Sequence, residues 1–78
     1  MKLQLNRVPY ICPVMDDHLG NGGGYYMFNE AWIGQTINLL LEGEDDRFWM
    51  GKIATYYEGA EGWLRVELIK ECFHVVEQ

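Results

Sequence analysis

An all-β fold is predicted for this chain, a small barrel or sandwich of five short strands. Two observations predict it. Apolar residues alternate over short runs, and clusters of Gly, Asp, Asn and Glu separate those runs at short intervals. A third observation makes the fold affordable in size. Of the 78 residues 49% are hydrophobic, and eleven are Trp, Tyr or Phe. A chain this short buries only about 60% of its unfolded surface, so its core must be efficient. No internal repeat or interdomain linker divides it, and residues 1–78 read as one domain.

The first extended run is Arg7 to Met15, with Val8, Tyr10, Cys12 and Val14 on one face. Pro9 and Pro13 lack a backbone donor and confine it to an edge or an irregular position. Asp16 to Gly24 follows as a flexible loop in which four of nine residues are glycine. Tyr25 to Gly34 is apolar and aromatic without a clean period. Thr36 to Leu41 alternates, with Ile37, Leu39 and Leu41 facing one way. Glu42 to Asp46 is a charged turn. Arg47 to Tyr57 is the longest strand, with Trp49 and Ile53 on one side and Phe48, Met50 and Lys52 on the other. Glu58 to Gly62 is a second turn, Gly62 to Val66 a short strand and Cys72 to Val76 the last. Between these two, residues 67–71 have room for a single helical turn. A helix over Trp63 to Val76 is the competing reading, because Leu64, Leu68 and Ile69 also have helical spacing.

Six basic and twelve acidic residues leave a formal charge of −6. That balance disfavours direct binding to a nucleic-acid backbone, which needs Lys and Arg to displace counterions. It suits a protein partner with a basic surface, or it keeps the chain soluble. Residues 1–10 carry Lys2 and Arg7 and no apolar core, unlike a signal peptide. No run approaches the roughly 20 apolar residues of a membrane span. Two cysteines are too few for a disulfide scaffold, so a cytoplasmic protein with reduced thiols is expected.

The order of these pieces resembles the SH3 domain. Gly34 to Glu42 is similar to the segment in which a glycine precedes an alternating strand. Glu44-Asp45-Asp46 followed by Phe48-Trp49-Met50-Gly51-Lys52-Ile53 resembles the acidic n-Src loop leading into the paired tryptophans. Glu61-Gly62-Trp63-Leu64 resembles the end of the barrel, and Asp16 to Gly24 stands in the place of the RT loop. The resemblance implies a small five-stranded SH3-like barrel in which the two acidic loops flank one groove. It also implies loss of the polyproline site. Phe48 replaces the first tryptophan, Arg65 and Glu67-Leu68 replace the Pro and Asn-Tyr after the fourth strand, and no opening aromatic dipeptide surrounds Tyr10.

The candidate binding residues are Asp16, Asp17, Glu44, Asp45 and Asp46 as an acidic rim, with Phe48 and Met50 as apolar contacts beside it. Carboxylates so placed attract a basic partner and steer its approach; solvated turns carry the same residues for no such reason. The aromatic set Tyr25, Tyr26, Phe28, Trp32, Phe48, Trp49, Tyr56, Tyr57 and Trp63 exceeds what so small a core encloses, so some rings belong on the surface as interface anchors. Gly20 to Gly24 lacks the Lys-Ser or Lys-Thr of a phosphate loop. Cys12, His18, Cys72 and His74 are zinc-ligand types without ligand spacing. Neither histidine has an evident nucleophile and orienting group beside it, and no cofactor or metal is expected. The signature Val-Gln-Ile-Tyr of the SH3-like plasmid dihydrofolate reductases is missing. The expected function is therefore non-enzymatic protein binding. Its type resembles the accessory proteins of phages and mobile elements, such as anti-CRISPR inhibitors that occupy a basic nucleic-acid-binding surface of a host protein. An adaptor or oligomerisation module of a bacterial complex and a small metal-binding protein are the alternatives.

Overall fold

A computed structural model describes residues 1–57 and 59–78, and of Tyr56 and Tyr57 the backbone alone. The chain is all-β. It runs β1 (Lys2–Leu5), β2 (Val14–Asp17), a 3-10 turn at Glu30–Trp32, β3 (Thr36–Glu44), β4 (Phe48–Tyr57) and β5 (Ala60–Ile69). A second 3-10 turn, Lys70–Cys72, then leads into β6 (Phe73–Glu77). Six antiparallel strands form one open sheet in the order β2-β5-β4-β3-β1-β6. The expected closed five-stranded barrel is corrected on both counts.

The extra strand is β1. Leu3 and Leu5 are buried while Lys2 and Gln4 are half-exposed, a period-2 pattern only four residues long. It is stable because both of its edges are used: Leu3 lies opposite Ile37 of β3 and opposite Val75 of β6. The sheet stays open because β2 and β6 do not pair with each other. The outer edge of β2 is met by the glycine loop instead. The Val14 N–H donates to the Gly24 carbonyl (3.1 Å), and the Gly23 N–H donates to that of Val14 (3.1 Å). Gly23 and Gly24 adopt φ of 93° and 79°, a left-handed conformation that costs glycine nothing and turns the chain back here.

The expected strand over Arg7 to Met15 shrinks to its last two residues. Pro9 and Pro13 remove ladder donors, and regular pairing starts at Val14 and runs on through Asp17. Asp16 and Asp17, expected in a loop, are therefore strand residues. At the other end the helical alternative for Trp63 to Val76 fails. β5 pairs with β4 from Tyr57↔Ala60 to Phe48↔Ile69, and the helical turn expected at 67–71 lies at Lys70–Cys72. Val66 and Leu68 are fully buried on one face of β5 with half-exposed Glu67 between them, which only an extended chain allows. The turn expected over 58–62 gives up Ala60 to Gly62 to β5; Glu58 itself lies outside the described residues.

Trp49 and Ile53 enter the core as their alternation requires, beside Leu3, Leu5, Leu39, Val66, Leu68 and Phe73. Leu41 does not. It is 39% exposed where Leu39 is 1% exposed; it lies opposite Gly51, which has no side chain to cover it, and is the last residue before the β3–β4 register shifts. A bulge inserts an odd residue, bends the strand and breaks the parity beyond it. No helix among the described residues is long and apolar enough to cross a membrane.

Candidate functional site

The carboxylates expected to form an acidic rim are distributed over the sheet, and most already have partners. Asp16 takes both Oδ atoms to Arg65 Nη1 at 2.6 Å. Asp17 Oδ1 accepts the backbone N–H groups of Leu19 and Asn21 (2.9 and 3.0 Å), closing the start of the glycine loop. Glu44 receives Lys70 Nζ at 2.6 Å. Asp45 Oδ1 accepts the N–H groups of Arg47 and Phe48 (2.9 and 2.8 Å), and these bonds hold its carboxyl below the usual range. Asp46 is exposed beside it. Asp16 and Asp17 on β2 are separated from Glu44 on β3 by the whole width of β5 and β4. Phe48 and Met50 are half-buried, and Phe48 packs against the core.

Asp45 is therefore a turn brace as well as a surface charge. Its folded-state ionisation is favoured, so the stability it contributes is present above its unfolded value near pH 3.8 and is lost as pH falls through the lower folded value. Asp45→Ala should lower the thermal midpoint at neutral pH, and the gap from wild type should close below pH 3.8. A constant gap would remove the brace from the account.

Arg65 organises the outer face of the sheet. Besides Asp16 it donates from Nε to Glu42 Oε1 (2.7 Å) and from Nη2 to Glu42 Oε2 (3.3 Å). Its guanidinium also lies 5.2 Å from the Trp63 ring centre, and Lys52 Nζ sits 4.2 Å over the same ring. The hydrogen bond from Arg65 holds the Glu42 carboxyl below its ordinary range. Lys52 and Arg65 face each other across β4 and β5, and Asp16 faces Arg65 from β2. This network joins β2, β3, β4 and β5, and register alone assembles it. In the sequence Arg65 is only a departure from the SH3 pattern.

Cys12 and Cys72 are buried free thiols. His18 packs against the backbone of Gly62, its Nδ1 within 3.3–3.4 Å of the Trp63 N–H and carbonyl. No group of three or more His, Cys, Asp or Glu residues suited to hold a metal ion occurs among the described residues. Burial, and secondarily the charge of Glu67, pushes the Cys12 thiol from 9.0 up to about 12, which makes it a poor nucleophile. An acid whose folded pKa is raised stabilises the fold fully below the unfolded value. That contribution is lost as pH rises from 9.0 toward 12. Wild type should accordingly lose more of its thermal midpoint between pH 8 and 11 than Cys12→Ala does; parallel curves would show that the thiol is not shielded.

Exposed apolar side chains gather elsewhere, on the segments flanking β2. Tyr10 is 87% exposed, Met27 79% and Tyr25 64%. They rim a groove of about 280 Å³ that Val8, Pro9, Ile11, Cys12, Tyr26 and Phe28 also line. Behind it runs a chain of ring contacts. Phe28 meets Tyr26, Trp32 and Phe73 edge-on at centroid distances of 5.0, 6.3 and 5.6 Å. Tyr26, Phe28 and Trp32 also line a second cavity of about 240 Å³, together with residues of β1, β3 and β4. The aromatic richness of residues 25–32 signals this surface in the sequence. Tyr10 was expected to share a face with Cys12, and the two part because residues 6–12 are not a strand. The side chains of Tyr56 and Tyr57 lie outside the described residues. No known protein family, curated protein or solved structure matches the chain.

Proposed function

We propose that this chain is a non-enzymatic protein-binding module on an SH3-like framework, and that it docks a partner with a basic surface. The observation that carries the reading is the exposed rim of Tyr10, Tyr25 and Met27 around a groove lined by no charged residue. Aromatic and methionine side chains so presented are favoured anchors, because they bring large contact area at little entropic cost. The charge of −6, to which exposed Asp46 in the β3–β4 turn contributes, adds long-range attraction toward a basic partner. The SH3-like relationship is supported by the β3–turn–β4–β5 hairpin run and by the 3-10 turn before the last strand. The narrower form of this reading is an inhibitor of the phage or mobile-element type that covers a nucleic-acid-binding surface.

Affinity capture from the source cells tests it with a paired variant. Tyr10→Ala combined with Met27→Ser should fold normally, since both positions are exposed and such changes shift stability by about 0.5 kcal/mol or less. The variant should lose the partner that wild type retains, by about tenfold or more in affinity. Wild-type association should also slow with salt as screening shortens to about 8–10 Å. Retention of the same partner by the folded variant would remove the groove from the function.

A further inference from the structure

The loop Gly20-Asn21-Gly22-Gly23-Gly24 lies outside the groove and carries chemistry of its own. Every one of its residues is exposed. It is fastened to β2 at two places. On one side the Asp17 Oδ1 accepts the Asn21 N–H, and the Asp17 carbonyl accepts the Gly20 N–H, each at 3.0 Å. On the other side Val14 exchanges two bonds of 3.1 Å with Gly23 and Gly24. The peptide link between Asn21 and Gly22 falls between these two anchors. Gly22 also runs close to the strand, since a Cβ on it would stand 2.6 Å from the Met15 carbonyl oxygen. An asparagine amide is open to attack by the backbone nitrogen of the next residue. Glycine in that place leaves the nitrogen unshielded, because it has no Cβ and a freely turning backbone.

We propose that Asn21–Gly22 is a self-modification site, and that its isoaspartate product frees the glycine loop from the edge of β2. The Gly22 nitrogen gives its proton to solvent base and bonds to Asn21 Cγ. The Cγ–Nδ2 bond breaks, ammonia leaves, and a succinimide ring remains. Water then opens the ring at one of its two carbonyls. Opening at Cγ leaves an ordinary aspartate; opening at the main-chain carbonyl leaves isoaspartate, whose chain runs through Cβ and Cγ. The net change is water taken up and ammonia released. Isoaspartate puts one extra carbon into the main chain between the two anchors. Gly22, already against the Met15 carbonyl, has no room to take it up. The bonds of Gly23 and Gly24 to Val14 lie just beyond the insertion, so they are the ones that part. With them goes the cover of an edge strand, whose bare donors and acceptors are a template for pairing. The other asparagines are held differently. Asn29 Oδ1 caps the 3-10 turn through the Ala31 N–H, Asn38 is paired in β3, and Asn6 donates its N–H to Cys72; none precedes a glycine.

The full chain is incubated in mildly alkaline buffer and sampled over time by peptide mapping and mass spectrometry, with isoaspartate read by methyltransferase labelling. Conversion at Asn21 should outpace that at Asn6, Asn29 and Asn38 by about tenfold or more, a barrier lower by about 1.4 kcal/mol. Asn21→Gln should stop it, since glutamine closes a larger ring more slowly. Hydrogen exchange then compares three samples: fresh wild type, the purified isoaspartate form, and fresh Asn21→Asp, which has the new charge without the extra carbon. The Val14 amide should exchange about tenfold or more faster in the isoaspartate form alone, as a local opening requires. Conversion at Asn21 no faster than at the other three asparagines would remove the site. A Val14 amide equally protected in the isoaspartate form, or equally exposed in Asn21→Asp, would overturn the release of the loop by chain lengthening.

Discussion

Gly51→Ala should destabilise the protein by about 3 kcal/mol, or roughly 12–24 °C in Tm for a domain of this size. Gly51 is buried on β4, and a Cβ there would overlap the carbonyl oxygen of Leu40 and stand 3.1 Å from Leu39 Cδ1. A backbone carbonyl in the central β3–β4 ladder cannot swing aside as a side-chain tip can. The strands must part, and Leu39 and Trp49 lose their packing together. Gly43 provides the matched control on the same hairpin. A Cβ there would meet only Met50 Cε at 3.8 Å, an ordinary contact. Gly43→Ala should therefore be neutral or stabilising by up to about 1 kcal/mol, since it reduces the freedom of the unfolded chain. Thermal unfolding of the two variants decides the matter: equal midpoints would mean that the close approach at Gly51 is not tight.

The second large effect is expected at Phe28, where truncation to alanine should cost about 3–5 kcal/mol. Phe28 is 8% exposed and touches three other rings. The segment that carries it has no regular strand; backbone hydrogen bonds to Cys12 and Leu5 hold its two ends, and burial of this side chain fastens its middle. Removing the ring deletes its transfer energy, leaves a cavity and breaks edge-on contacts worth about 0.5–1.5 kcal/mol each. Tyr25→Ala, three residues earlier and 64% exposed, should change stability by about 0.5 kcal/mol or less. Denaturant titration of both variants gives the comparison. A loss below about 1 kcal/mol at Phe28 would show that the aromatic segment rests on the sheet without being part of its core.

Much of the sheet is legible from alternation. Trp49 and Ile53 face inward, and β3 starts after Gly34 where the pattern places it. Asp45 and Asp46 lie in the turn, and Phe73 opens a terminal strand. Less was legible at the ends. Lys2–Leu5 shows alternation over four residues only, too short to stand out, and its strand character comes from two partners supplied by distant sequence. Asp16 and Asp17 look like loop residues because glycines follow them. They pair with β5 because Pro13 ends the irregular stretch and Arg65 offers a cation across the ladder.

The candidate site divides in the same way. From the amino-acid sequence alone follow the all-β class, the identity of β4 and its core face, the acidic balance, and an excess of rings that must reach the surface. These depend on period and composition, which a single strand carries within itself. Only the tertiary structure decides which rings those are, that Arg65 joins Asp16 to Glu42, that Leu41 turns outward, and that the sheet remains open. Each of these depends on the register between strands. A bulge of one residue changes register without altering composition, so the pattern that reveals a strand's two faces is silent about which neighbours those faces meet.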